Sequence, residues 1–112
     1  MRTPLDGAPT FLIMLPTLQR LQNWYQAHCN GAWEHKAGVT IETLDNPGWS
    51  VRIQLAGTSL EGREFTEISD MDPDSDWIRC WLEDSSFLGV GGPRQLERIL
   101  TTFLDWAEAA SD

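Results

Sequence analysis

The sequence predicts an α+β fold: a helix, a four-stranded antiparallel meander and a second helix, with both helices on one face of the sheet. Three observations support this prediction. Segments near the two ends of the chain have helical periodicity, the region between them contains four strand-like stretches, and tight turns join consecutive strands. Residues 1–15 are interpreted as an N-terminal arm, and residues 16–112 as a single domain.

The two helices are predicted over residues 16–29 and 93–109. Pro16 and Pro93 suit the first turn of a helix, because proline lacks an N–H that would be unsatisfied there. Asn30 then ends the first helix together with the glycine that follows it, since both tolerate left-handed backbone geometry. The second helix has a wide apolar stripe of Leu96, Ile99, Leu100, Phe103, Leu104 and Ala107.

A β-hairpin is predicted across residues 38–55. Apolar and polar residues alternate along both halves of this segment, which is typical of strands with one buried face. Pro47 and Gly48 fit the central positions of a type II turn over residues 46–49, because proline presets the first φ and glycine accepts a positive second φ.

Two further strands are predicted within residues 59–69 and 77–83. The segment 70–76 between them is interpreted as an exposed loop, because Pro73 cannot donate to a strand ladder and its aspartates repel one another. Residues 85–92, which are rich in glycine, are interpreted as the connection to the second helix.

The composition excludes several classes of protein. With 112 residues and 41% hydrophobic residues, the chain is one globular domain. No apolar run approaches the ~20 residues that span a bilayer, and two cysteines are too few for a disulfide scaffold. The net charge of −9 disfavours nucleic acids and anionic membranes as partners. The whole excess lies in residues 57–112, which hold thirteen carboxylates and four arginines.

No group of residues requires catalysis or a cofactor. Glu34 and His35 form a candidate acid–base pair, but adjacent side chains point apart, which favours a structural role. His28, Cys29, His35 and Cys80 lack the spacing of a zinc site. We therefore expect no catalytic residue, no metal and no cofactor.

Four aspartates alternate along the exposed loop: Asp70, Asp72, Asp74 and Asp76. A calcium-binding frame that starts at Asp72 places Trp77 where glycine is required. Two interpretations stay open, a solvated loop and a docking patch for a basic partner. Next to it, Trp77 and Trp81 share a strand face with Arg79, which fits either a cation–π stack or aromatic anchors for a partner.

The longest unusual motifs are the WEH segment, Trp33-Glu34-His35, and the stretch TLDNPGW over residues 43–49. Together with Cys29-Asn30-Gly31 and the segment FLGVGGP over residues 87–93, they resemble the immunity protein 53 family of bacterial polymorphic toxin systems. The resemblance covers about residues 16–107.

The resemblance implies a cytoplasmic antitoxin that binds a cognate toxin domain and blocks it by protein–protein inhibition. We expect a non-enzymatic monomer or weak homo-oligomer without direct nucleic-acid or membrane contact. Many toxins of such systems are nucleases with basic clefts, which an acidic inhibitor complements. The contact residues predicted on this basis are Trp33, Glu34, His35, Asp70, Asp72, Asp74, Asp76, Trp77 and Trp81.

The alternative is a small-molecule-binding domain or small enzyme centred on the WEH segment and the 43–49 turn. A pocket that converges on Glu34, His35, Asp45 and Asn46 would favour this alternative.

Overall fold

The computed structural model describes residues 15–72 and 76–110, so most of the predicted N-terminal arm and Asp74 lie outside the described residues. The described helices are α1 (Thr17–His28), the four-residue α2 (Trp33–Lys36) and α3 (Leu96–Ala110). The two long helices confirm the predicted helical segments to within a few residues, and α2 was not predicted.

The described strands form one antiparallel sheet. They are β1 (Val39–Leu44), β2 (Gly48–Gln54), β3 (Ile68–Asp70), β4 (Ile78–Glu83) and β5 (Ser86–Gly91). Their order is β1-β2-β5-β4-β3, and every neighbouring pair is antiparallel. The α+β class is therefore confirmed. The four-stranded meander is wrong, because the described residues form five strands and β5 inserts between β2 and β4.

The glycine-rich segment 85–92 is a central strand and not a connection. A Cβ added to Gly89 would overlap the side chain of Ile99, and one added to Gly91 would lie 2.7 Å from the Cβ of Gln95. The glycines are therefore required because α3 passes close over β5. A two-residue turn at Asp84 and Ser85, with φ of 53° and 59°, joins β4 to β5.

The predicted hairpin across residues 38–55 is confirmed, with Val39 opposite Ile53 and Leu44 opposite Gly48. Its turn differs from the prediction. Gly48 is the first residue of β2 and does not have a positive φ. A Cβ at this position would overlap the carbonyl oxygen of Gly91, so glycine is needed here for close strand approach.

The predicted strand within residues 59–69 is reduced to the three residues of β3, and residues 63–67 before it are irregular. Phe65 of this irregular segment packs edge-on against Phe87 and Trp106, with ring centroids 5.6 and 5.3 Å apart. Side-chain packing therefore holds a segment that makes no described strand pairing.

One buried cluster joins the two long helices to the sheet. Phe103 of α3 lies at its centre, with its ring 4.9 Å from that of Trp24 on α1 and 5.2 Å from that of Phe87 on β5. The members of the cluster are Leu21, Val51, Ile53, Leu55, Leu60, Ile78, Cys80, Phe87, Ile99, Leu100, Phe103, Leu104 and Ala107. The sheet residues among them alternate along their strands, so the cluster defines an inner face of the sheet, and the alternate residues form an outer face.

Candidate partner-binding surface

The strand pairing separates the predicted contact residues into two groups at opposite ends of the sheet. At one end lie the β1–β2 turn (residues 45–47) and the acidic loop between β3 and β4, of which residues 71, 72, 76 and 77 are described, because Asp70 pairs with Ile78 and Leu44 with Gly48. We call this the acidic end. At the other end, the α2 end, lie α2 and the β4–β5 turn. The six residues of β4 separate the two ends by roughly 17 Å.

The acidic end brings together three of the four predicted aspartates, since Asp74 lies outside the described residues. Asp70, Asp72 and Asp76 are exposed. The backbone N–H of Asp72 donates a hydrogen bond of 3.5 Å to a carboxylate oxygen of Asp70. Sequence reasoning missed two residues here. Met71 has 53% of its surface exposed between two aspartates, and Asp45 is exposed in the turn at the same end. The sequence did contain a signal for Met71, because it is an apolar residue between two aspartates in a polar segment.

Trp77 lies on the outer face at the acidic end. Its ring covers two glycines, since a Cβ at either Gly48 or Gly92 would lie 3.2 Å from an indole atom. Its carbonyl oxygen accepts a 3.0 Å hydrogen bond from the N–H of Gly92. Trp77 is half-buried, so part of the ring is available to a partner next to the aspartates.

Of the two interpretations of the Arg79 row, the structure shows the cation–π stack further along the outer face, where the guanidinium carbon of Arg79 lies 4.0 Å from the ring centroid of Trp81. Arg79 Nε donates to a carboxylate oxygen of Glu67 at 2.7 Å, and Trp81 Nε1 donates to one of Glu83 at 2.9 Å. Trp81 is opposite Leu88 in the β4–β5 pair, and both are half-buried. The outer face thus has an aromatic and aliphatic strip that continues from Trp77.

At the α2 end, Trp33 is a packing residue. Only 6% of its surface is exposed, and its ring lies 5.6 Å from Trp24 and 5.7 Å from Tyr25. Its position is held by Asn30, whose side-chain oxygen accepts hydrogen bonds from the N–H groups of Trp33 and the residue before it. In this arrangement the Trp33 ring does not present itself to a partner.

Glu34 stabilises the turn that precedes α2. Its carboxylate accepts hydrogen bonds from the backbone N–H groups of Asn30 and Gly31 at 2.9 and 2.8 Å. Hydrogen bonding from backbone N–H groups, first its own and then those two, lowers the pKa of Glu34. His35 is exposed on the next position of the helix, about 100° around its axis.

A groove of about 360 Å³ lies at the α2 end, with Trp33, Lys36, Gln54 and Ser85 in its lining. The indole Nε1 of Trp33 is buried, and no described residue accepts a hydrogen bond from it. None of Glu34, His35, Asp45 and Asn46 lines this groove. The structure therefore does not bring the WEH segment and the 43–49 turn together, since most of that turn lies at the acidic end.

The two cysteines are free and have different surroundings. Cys80 is fully buried in β4, and burial raises the pKa of its thiol to about 11. Cys29 is half-exposed at the end of α1, where its thiol donates to the carbonyl oxygen of Tyr25 at 3.3 Å. Across residues 15–72 and 76–110, no three His, Cys, Asp or Glu side chains are grouped so that they could hold a metal ion.

No helix in the described part of the chain is long and apolar enough to cross a membrane. The comparisons with curated proteins and with solved structures give no match. The family model described as immunity protein 53 matches residues 18–108, a range that begins in α1, contains the whole sheet and ends in α3. The chain therefore belongs to the immunity protein 53 family.

Proposed function

We propose that this chain is an immunity protein that binds a cognate toxin domain and blocks it without catalysis. The observation that carries the proposal is the family match over residues 18–108. We further propose that the toxin is a nuclease and that the acidic end enters its basic cleft.

The charge distribution supports a basic partner. The chain has a net charge of −9, and the whole excess lies in residues 57–112. Asp70 at the end of β3, and Asp72 and Asp76 in the acidic loop that follows, place part of that charge at the acidic end. Such a concentration of charge accelerates encounter with a basic cleft, and the carboxylates take the place of the phosphates that the cleft normally binds.

The outer face supplies the apolar contacts of the proposed interface. Met71 is more than half exposed, and Trp77 and Trp81 are half-buried, so each retains surface that a partner can cover. Aromatic residues next to charged residues are the usual anchors of protein interfaces. In this proposal Trp33 and Glu34 act indirectly, by stabilising the α2 end.

The first experiment identifies the gene beside this one and, where it encodes a large secreted protein, co-expresses the C-terminal domain of that protein with this chain. The immunity proposal expects growth to be restored and the nuclease activity of the purified toxin domain to be inhibited. Growth arrest that co-expression does not relieve would contradict the proposal.

The second experiment tests the docking surface. The variant Asp72→Asn/Asp76→Asn is compared with Glu61→Gln/Asp84→Asn, which removes the same charge at the α2 end, where Glu61 accepts a hydrogen bond from Gly57 of the groove and Asp84 lines it. Stopped-flow measurements should show association with the toxin domain slowed about 10-fold by the first variant and much less by the second. For the wild type, the rate should fall steeply with added salt. Equal effects of the two variants would refute docking through the acidic end.

The groove at the α2 end favours a second candidate function, the binding of a small molecule. Its volume of about 360 Å³ is in the range of ligand sites, and the buried Nε1 of Trp33 is a donor without a described acceptor. Native mass spectrometry of the purified protein distinguishes the candidates. A co-purified molecule that Trp33→Phe releases would support the second one, and a mass equal to that of the chain alone would count against it.

A further inference from the structure

The two edges of the sheet differ in length and charge. β1 has six residues, and β2 is its one strand neighbour in the described part of the chain. β3, at the other edge, has three residues and ends on Asp70 beside the acidic loop. An edge strand presents backbone N–H and C=O groups that can pair with a further strand, so a long edge is a potential interface.

The hydrogen bonding at the start of β1 shows which backbone groups face outward. The N–H of Gln54 donates to the carbonyl oxygen of Gly38 at 3.1 Å, so this pair faces inward. Antiparallel pairs alternate along the ladder, and the next inward pairs are those of Thr40 and Glu42. The N–H and C=O groups of Val39, Ile41 and Thr43 therefore point away from β2.

β1 lacks the features that normally protect an edge strand. It contains no lysine and no proline, and its pairing with β2 is residue for residue, without a bulge. Its single charged residue is Glu42. Ile41 is 38% exposed, although it lies on the inner-face side of its strand.

Apolar surface continues beside this edge. A groove of about 330 Å³ runs along the start of β1 and is lined by Leu21, Tyr25 and Val39, among others. Tyr25 is 39% exposed. A strand added beyond β1 would lie next to this groove and cover apolar surface that is otherwise in contact with water.

We infer that a second copy of this chain occupies the β1 edge and that two sheets join into one continuous sheet. Charge favours this occupant. Residues 1–56 have no net charge, whereas the acidic loop lies beside the opposite edge, so two copies can meet at β1 with their acidic loops far apart. β1 offers a basic partner only the carboxylate of Glu42, which makes such a partner a poorer fit for this edge.

The outward groups determine the register. With Ile41 opposite Ile41 of the second copy, Val39 pairs with Thr43 and all three outward residues form hydrogen-bonded pairs, giving roughly six interchain hydrogen bonds. Shifting one strand by two residues, so that Ile41 lies opposite Thr43, would place Glu42 opposite itself, which is unfavourable. The inference does not depend on the proposed function, and both acidic ends stay accessible in such a dimer.

The experiment measures the mass of the protein in solution by light scattering over a range of concentrations. The wild type should approach twice the chain mass of 12.7 kDa as concentration rises. Ile41→Lys should remain at the mass of one chain. The matched control is Met71→Lys, which makes the same change at an exposed apolar residue near the other edge and should dimerise like the wild type. Circular dichroism verifies that each variant is folded.

Amide hydrogen exchange tests the register. The N–H groups of Val39, Ile41 and Thr43 should gain protection as concentration rises, and Ile41→Lys should abolish this gain. A single-chain mass at every concentration would overturn the inference. A dimer in which these amides exchange freely would also overturn it, as would protection that occurs only with the toxin domain, because the occupant would then be a toxin strand.

Discussion

Replacing Gly89 with alanine tests the central position of β5 under α3. Gly89 lies opposite Val51 on β2 and Cys80 on β4, at the middle of the sheet. The new Cβ would overlap the Cγ2 methyl of Ile99 and lie 3.5 Å from the sulfur of Cys80. Ile99 is fully buried, and a β-branched side chain in a helix has one preferred rotamer, so α3 must move to accept the methyl group.

The expected cost follows from the packing. Inserting a methyl into a well-packed core costs about 1–3 kcal/mol, which for a domain of this size lowers Tm by about 4–12 °C. Ile99→Ala alone creates a cavity and costs about 2–5 kcal/mol. It also removes the methyl that the introduced Cβ would meet, so Gly89→Ala/Ile99→Ala should lose about 1–2 kcal/mol less than the sum of the single variants.

The assay is urea unfolding followed by tryptophan fluorescence for the wild type, both single variants and the double variant. Gly62→Ala is the control, because Gly62 has a φ of 81° and no neighbour within 4 Å of its Cβ direction. Its cost arises from backbone strain, and it should add to that of Ile99→Ala. Additive losses for Gly89 and Ile99 would refute the proposed packing of α3 on β5.

Three further predictions concern the helices and the thiols. Arg20→Met should lower the free energy of unfolding by about 1 kcal/mol, because Arg20 forms ion pairs of 2.8 and 2.9 Å with Asp105 and Glu108, two partly exposed carboxylates of α3. The loss should be smaller in high salt, which urea unfolding at two salt concentrations measures. Glu34→Gln should lower Tm near neutral pH. Folding lowers the pKa of Glu34, so the ionised carboxylate stabilises the folded protein at pH values above its unfolded pKa, and this stabilisation is lost as the pH falls through its folded pKa. Thermal scans at several pH values should therefore show the Tm values of the wild type and Glu34→Gln converging at acidic pH. With a disulfide reagent, one thiol should react in the folded protein and Cys29→Ser should abolish that reaction, since Cys80 is buried and its pKa is raised to about 11; absorbance of the released thiolate measures it.

The proposed function and the proposed dimer use different parts of the sheet. The acidic loop between β3 and β4 lies beside β3, and the edge formed by β1 is on the other side of the sheet. A dimer through β1 would therefore present two acidic ends that face away from each other. We expect each copy to bind one toxin domain, a ratio that light scattering of the complex can measure.

Local patterns in the sequence determined the elements whose residues interact mainly with their chain neighbours. The apolar stripe of α3 and the alternation along β1 and β2 predict a helix and a hairpin because these periodicities express the geometry of the backbone itself. The exposure of Asp72 and Asp76 was also predictable from carboxylate repulsion, and alternation along one strand predicted that Arg79 and Trp81 share a face.

Contacts between distant segments decided the rest. The glycines of β5 suggest a loop when only their neighbours in sequence are considered, and the side chains of Gln95 and Ile99 are what require them in a strand. The same limit applies to the candidate contact residues. The burial of Trp33 and Trp77 depends on what folds against them, because Trp24 and Tyr25 cover Trp33, whereas Trp77 remains half-exposed over two glycines. The sequence alone determined the two long helices, the hairpin, the exposure of Asp72 and Asp76, and the family. The tertiary structure decided the strand order and the burial of each tryptophan, because both depend on residues far apart in the chain.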